Sequence, residues 1–204
     1  MRVDKVIIRA VLSTLAAAIV LFAFATLALC FIFPSTMMEL TFRADWNDAS
    51  VKYAKRAYAY TGETYYLAYG LDVAIWDEDV ERIDECGSML LQTEDFDAYC
   101  ETKNQKLSQQ GVDMQYEQYV YGQVSVAKYL CGKKADAVET AFAGIEETSF
   151  PKNNAVVAIL SYAIQAGDAE TVNSIKAKMD DLSASLSETD KPYFDEVYGN
   201  LLGE

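Results

Sequence analysis

The 24 residues from Ala10 to Phe33 carry no charged side chain and are mostly Ala, Leu, Ile, Val and Phe. As a helix this run measures about 36 Å, longer than a hydrocarbon core of about 30 Å, so it spans a bilayer with some tilt. Arg2, Lys5 and Arg9 precede it, whereas the 16 residues that follow offer only Arg43. Because positive flanks stay on the cytoplasmic side, the expected topology is a single pass through the cell membrane. Residues 1–9 are then cytoplasmic, 10–33 form the span, and the rest is extracytoplasmic.

A cleaved signal peptide is the competing reading, since Ala23-Phe24-Ala25 has the small-x-small form of a cleavage site. Cutting there leaves the apolar stub Leu27 to Phe33, and the unbroken length favours an uncleaved anchor. Leu27-Ala28-Leu29-Cys30 has the outline of a lipoprotein box, but Leu29 stands where such boxes carry a small residue. Pro34, Ser35 and Thr36 are expected to end the helix, with 34–46 a juxtamembrane linker and 47–204 one ectodomain.

The 171 residues beyond the span suffice for one domain with a substantial core, and no Pro-rich or Gly/Ser-rich stretch divides them. Of the net charge of −14, residues 1–9 contribute three positive and one negative charge, leaving −16 beyond the span. That surface disfavours nucleic acid and attracts basic proteins or cations. It also predicts that the domain stands off the anionic leaflet behind a short tether. Histidine is absent, which removes the usual general base and the commonest zinc ligand. Ser-His and Cys-His nucleophile pairs go with it, so no enzyme and no cofactor is expected.

Apolar residues recur at helical spacing: Val51, Ala54, Tyr58; Leu67, Leu71, Ala74; Val80, Ile83, Gly87, Leu90; Val120, Val124, Ala127, Cys131. Further stripes are Val138, Phe142, Ile145; Val156, Ile159, Ala163; Val172, Ile175, Met179, Leu182, Leu186; and Phe194, Val197, Leu201. Turn chemistry separates them at Thr61-Gly62, Asp77-Glu78, Cys131-Gly132, Ser149 to Asn154, Gly167-Asp168 and Ser187 to Pro192. The reading is all-α, with eight or nine helices after the span and short junctions that make neighbours antiparallel. Lys103 to Gln115 is polar and weakly periodic, and is expected to be a loop.

Gly62, Gly132 and Gly167 are spaced by 70 and 35 residues, one period of 35. Tyr121, Val124, Ser125, Tyr129, Gly132 and Ala137 fall where a tetratricopeptide repeat, of period 34, has its aromatic, leucine, small and turn positions. The segment Tyr121 to Gly144 therefore resembles that family, departing at Ala141 and Gly144, and Val51, Tyr58, Gly62, Leu71 and Ala74 give a weaker match. The resemblance implies stacked helical hairpins. A second internal match has Leu71, Ala74, Ile75, Asp79, Glu81 and Ile83 recurring as Leu160, Ala163, Ile164, Asp168, Glu170 and Val172. Its offset of 89 is no multiple of 35, and it reads as shared hairpin chemistry.

Tyr53, Tyr58, Tyr60, Tyr65, Tyr66 and Tyr69 crowd into 17 residues, and Tyr116, Tyr119 and Tyr121 form a second group. Tyrosine offers a flat apolar face and a hydroxyl, suited to peptide or sugar recognition, although repeats also pack aromatics between helices. Tyr60, Tyr65, Tyr69, Tyr116 and Tyr119 are the groove candidates. Cys86 and Cys100 flank Thr93 by seven residues each, so an antiparallel hairpin turning there would bring them level for a disulfide. The acidic runs Asp77 to Glu85 and Asp45 to Asp48 lack the spacing of a calcium loop, and no metal is expected. The chain thus reads as a bitopic, tetratricopeptide-like adaptor for a protein partner at the outer face of a bacterial membrane. A receptor for peptide or glycan fragments is the alternative.

Overall fold

The computed structural model describes residues 2–112, 114–145, 155–185, 188, 191–192 and 194–196. Among these residues there is no strand, and ten helices have ten residues or more. The first, α1 (Arg2–Ile32), includes the stretch Ile7–Ile32, 26 residues that are apolar enough to cross a membrane and none of which is buried in the rest of the molecule. Up to Leu27 its apolar side chains stand exposed, consistent with a helix that crosses a membrane.

The next helix, α2 (Pro34–Arg43), starts one residue later, so the expected linker is itself helical. Pro34 occupies the first turn, where a missing N–H costs nothing, and it begins a helix as well as ending one. Against α2 packs α3 (Asn47–Thr61), running antiparallel: Ser50 Oγ donates to the Met38 carbonyl at 3.0 Å, and Tyr53 Oη to Cys30 Sγ at 3.0 Å. Three residues on, the Arg56 guanidinium lies 4.1 Å from the centre of the Phe31 ring. The domain is therefore seated on the end of α1 rather than held off by a tether.

The remaining helices are α4 (Thr64–Trp76), α5 (Val80–Leu91), α6 (Phe96–Gln109), α7 (Tyr116–Leu130), α8 (Lys134–Ala143), α9 (Ala155–Gln165) and α10 (Ala169–Ser185). Four hairpins, α2–α3, α4–α5, α7–α8 and α9–α10, turn on the same backbone motif. In each, one residue with positive φ is followed by a residue whose N–H reaches five positions back. These bonds are Trp46 to Thr41, Asp79 to Ala74, Lys133 to Lys128 and Asp168 to Ala163, at 2.8 to 2.9 and 3.0 Å. This is the Schellman geometry, which satisfies a helix's last carbonyls. The positive-φ residues of these four are Asp45, Glu78, Gly132 and Gly167, separated by 33, 54 and 35 residues, and Gly111 closes α6 in the same way, with the Val112 N–H on the Leu107 carbonyl at 3.0 Å. Gly62 is not among them, because it caps α3 in the connection between two hairpins.

The long interval of 54 contains α6. Helix α5 packs along α7, while α6 lies against α4 and α7. Lys103 to Gln109 is helical, so the expected loop shrinks to the residues after Gln109. Of α6 only Phe96 and Cys100 are buried, which is why its polar sequence shows no stripe. Since α5 and α6 do not form the hairpin on which a Cys86–Cys100 disulfide depends, the two cysteines stand as separate buried thiols.

Two cores fill the array. Val51, Leu67, Leu71, Leu90, Val120 and Val124 belong to the first, and Val138, Val156, Ile159, Leu160, Ile175 and Met179 to the second. Each fully buried Leu or Ile here contributes about 1.5–3 kcal/mol relative to an exposed one. Tyr121 packs on both cores and joins them, its ring 6.1 Å from that of Phe96 and lying where a side chain on Gly144 would stand. Gly87 lets α5 and α7 close: a methyl there would fall 2.1 Å from Val124 Cγ2. Phe194 is buried in the second core, whereas Val197, Leu201 and the Ser149 to Asn154 turn lie outside the described residues.

Candidate interaction surface

On α4, Tyr65, Tyr69, Asp72 and Trp76 follow one another at i, i+4, i+7 and i+11, so a 3.6-residue helix places them on one stripe. The Tyr65 and Tyr69 ring centres are 6.2 Å apart, and Phe42 of α2 meets Tyr69 edge-on at 5.8 Å. Tyr65 and Phe42 are nearly half exposed, and Trp76 is 80% exposed. The result is an aromatic ridge that is open at Tyr65 and Trp76, with Tyr69 between them half-buried against the first core.

Asp72 is the electrostatic centre of this region. Its carboxyl, 48% exposed, lies 3.9 Å from Lys103 Nζ of α6. Partial desolvation raises its pKa above the usual carboxylate value, against the pull of Lys103. Its negative charge in turn adds to burial in raising the hydroxyls of Tyr65 and Tyr119. Glu39 of α2 acts on Tyr65 in the same sense. Tyr99 is pushed up to about 12, first by burial and then by Asp72. All these phenols are neutral at physiological pH, so they offer faces and hydroxyls rather than charge.

Beyond Lys103 the aromatic chain turns inward. Lys103 Nζ is 5.1 Å from the Tyr116 ring centre, and Tyr116 meets Tyr99 and Tyr119 at 6.0 Å each. Tyr116 is only 1% exposed, and its hydroxyl has no partner among the described residues. Its backbone N–H is held by Asn104 Oδ1 at 2.7 Å, which fixes the start of α7 against α6. Of the five candidate tyrosines, Tyr65 and Tyr69 therefore share the open ridge. Tyr119 is half-buried behind Asp72, Tyr116 is core, and Tyr60 stands apart on α3. Phe42 and Trp76 escaped the sequence reading; stepping i+11 from Tyr65 would have found Trp76.

The acidic runs are taken up in holding helices together. Arg82 gathers Asp48, Asp79 and Asp77 at 2.6, 3.3 and 3.5 Å, and Asp79 accepts from the Arg82 N–H to cap α5. Glu85 pairs with Lys55 at 2.5 Å, and the buried Asp84 with Lys128 and Lys133 at 2.8 and 2.6 Å. Among the described residues, no three Cys, Asp or Glu side chains converge as metal ligands would. The surface thus offers π faces beside the Glu39 carboxylate and an Asp72 carboxylate that Lys103 approaches only at 3.9 Å, which suits a cationic or amphipathic segment. Comparison of the chain with known families, with curated proteins and with solved structures finds no match in any of the three.

Proposed function

We propose that this protein is a single-pass membrane adaptor whose tetratricopeptide-like domain binds a basic segment of a protein partner at the outer face of a bacterial membrane. The observation that carries the reading is the open stripe of Tyr65, Tyr69 and Trp76 around Asp72, flanked by Phe42 and Glu39. Arginine or lysine stacks on such rings while its charge meets a carboxylate that Lys103 compensates only at 3.9 Å. Repeat character is supported by the 33- and 35-residue spacings of equivalent turns, either side of the tetratricopeptide period of 34. The three cations in the first turns of α1, ahead of its apolar run, support an N-terminus inside. The step from stacked hairpins to adaptor rests on the ridge, since fold alone does not assign function.

The test is crosslinking of the full-length protein in its native membrane, followed by identification of what co-purifies. A discrete partner that is lost on Tyr65→Ser, Tyr69→Ser and Asp72→Asn substitution supports the adaptor. Retention by the variant, or partners held only by the span, overturns it. The receptor reading keeps Tyr65 and Tyr69 but not the buried Tyr116, and it would show as peptide or glycan binding by the isolated full-length chain.

A further inference from the structure

The face of α3 that touches α1 continues past the contact. Tyr53 meets Cys30 and Arg56 meets Phe31. Tyr60 lies on the same stripe, within the angular range set by Tyr53 and Arg56, since four residues advance a helix by little more than one turn. Because α3 runs back along α2 toward the end of α1, Tyr60 lies about 6 Å beyond Arg56 along the helix axis, on the side from which α1 emerges. Nothing among the described residues covers it: Tyr60 is 73% exposed.

The length of the span sets the depth of this face. Counting from Arg9, the last cation before the apolar run, about twenty residues of an upright helix cross a 30 Å core, so its outer edge falls at Leu29 without tilt and nearer Phe33 with it. Cys30 and Phe31 then lie at the boundary of the hydrocarbon core and the headgroup layer, and with them Tyr53 and Arg56 of α3. Lys52, one turn before Arg56 on the neighbouring edge, faces outward; neither cation has an acidic partner among the described residues. Although the region beyond the span carries −16, this strip presents two uncompensated positive charges and a tyrosine where phosphates and the aromatic belt of a bilayer lie.

We propose that the Lys52–Arg56–Tyr60 strip of α3 is a phospholipid-headgroup contact of the bilayer that α1 crosses, so that the domain is held at the surface in one fixed orientation. Arg56 and Lys52 meet headgroup phosphates, and the Tyr60 ring sits at the boundary of headgroups and acyl chains. This rests on the reading of α1 as a span. The opposite end of α3 faces away from the membrane: Asn47 bonds Asp77 at 3.1 Å there, beside Trp46 and Trp76.

The test uses the full chain in lipid nanodiscs containing brominated phosphatidylcholine, which quenches tryptophan on contact. With Trp46→Phe and Trp76→Phe as background, Tyr60→Trp reports the strip and Phe24→Trp the span. Expected is a loss of emission from the Tyr60→Trp protein that is larger with shallow than with deep bromines. Reversal of the strip's charge by Lys52→Glu with Arg56→Glu should diminish that loss while leaving the Phe24→Trp signal unchanged. Quenching at position 24 without quenching at 60 overturns the contact and keeps the span, as when a second copy or another protein covers the face. Quenching at neither position overturns the span itself.

Discussion

Glu78 and Gly167, 89 residues apart, occupy the same corner of two hairpins, with φ of 54° and 66°. After each comes an aspartate, Asp79 or Asp168, whose N–H returns to Ala74 or Ala163 and whose carboxylate accepts from the N–H three residues on, Arg82 or Thr171. One residue thus ends the first helix and caps the second, which fixes the turn in both hairpins. The two corners differ in what a side chain costs there: glycine enters the left-handed region freely, while glutamate is strained by its Cβ.

Replacing Glu78 by Gly should stabilise the protein by about 0.5–1 kcal/mol, the relief of left-handed strain less the extra freedom of the unfolded chain. Gly132→Ala and Gly167→Ala should each destabilise by about 1 kcal/mol, although a methyl at either site meets no atom within 4 Å. Denaturant titration of the full chain in detergent measures all three. A loss on Glu78→Gly would show that the corner is held by something other than backbone geometry.

Gly87→Ala tests the closest approach in the first core. The added methyl would overlap Val124 Cγ2, so the expected loss is about 2 kcal/mol. Val124→Ala removes the obstructing atom, and the double variant should lose less than the sum of the two singles. Additive losses would place the two side chains out of contact.

Stripes such as Val120, Val124 or Val156, Ile159 announce their helices because one face is apolar and buried. Helix α6 buries two residues and carries no such signature, so from Lys103 onward it reads as loop. Pro34 is ambiguous for a different reason, since the same ring that stops one helix suits the first turn of the next. The recurrence of this turn is hidden because Asp45 and Glu78 hold positions where glycine would mark it, while Gly62 marks a connection of another kind. The 89-residue match marks two hairpins that turn alike, with Glu78 and Gly167 at the same corner and Asp79 and Asp168 at the same cap. At the surface, the Tyr65 and Tyr69 pair is legible from spacing, but the burial of Tyr116 depends on α6 lying across α7.

Cys86 and Cys100 offer a chemical test of the α5–α7 packing. Burial pushes their thiols up to about 11 and about 12, so neither forms the reactive thiolate at pH 8. Both should resist iodoacetamide in the folded protein and react fully in denaturant without reductant, as peptide mass spectrometry would show. A requirement for reductant would mean that they are bonded and that α5 and α6 come together after all.

Asp84 is about 5% exposed and accepts from Lys128 Nζ at 2.8 Å, Lys133 Nζ at 2.6 Å and Ser88 Oγ at 3.0 Å, tying α5 to α7 and to the turn before α8. Burial alone pushes its carboxyl up, but the hydrogen bonds from Lys128, Lys133 and Ser88 outweigh that and hold the pKa below the usual carboxylate value. A carboxyl depressed in the folded state lends stability that is fully present above its unfolded pKa of about 3.9 and lost as pH falls through the folded value. Asp84→Asn leaves Lys128, 15% exposed, without its charge partner, and should cost about 3 kcal/mol at pH 7. The difference between wild type and variant should be constant from pH 7 to about 5 and shrink below pH 4, where the wild-type carboxylate takes up its proton. Unfolding curves of both proteins across that range measure it, and a difference independent of pH down to the acid limit would assign the loss to packing around Asp84 rather than to its charge.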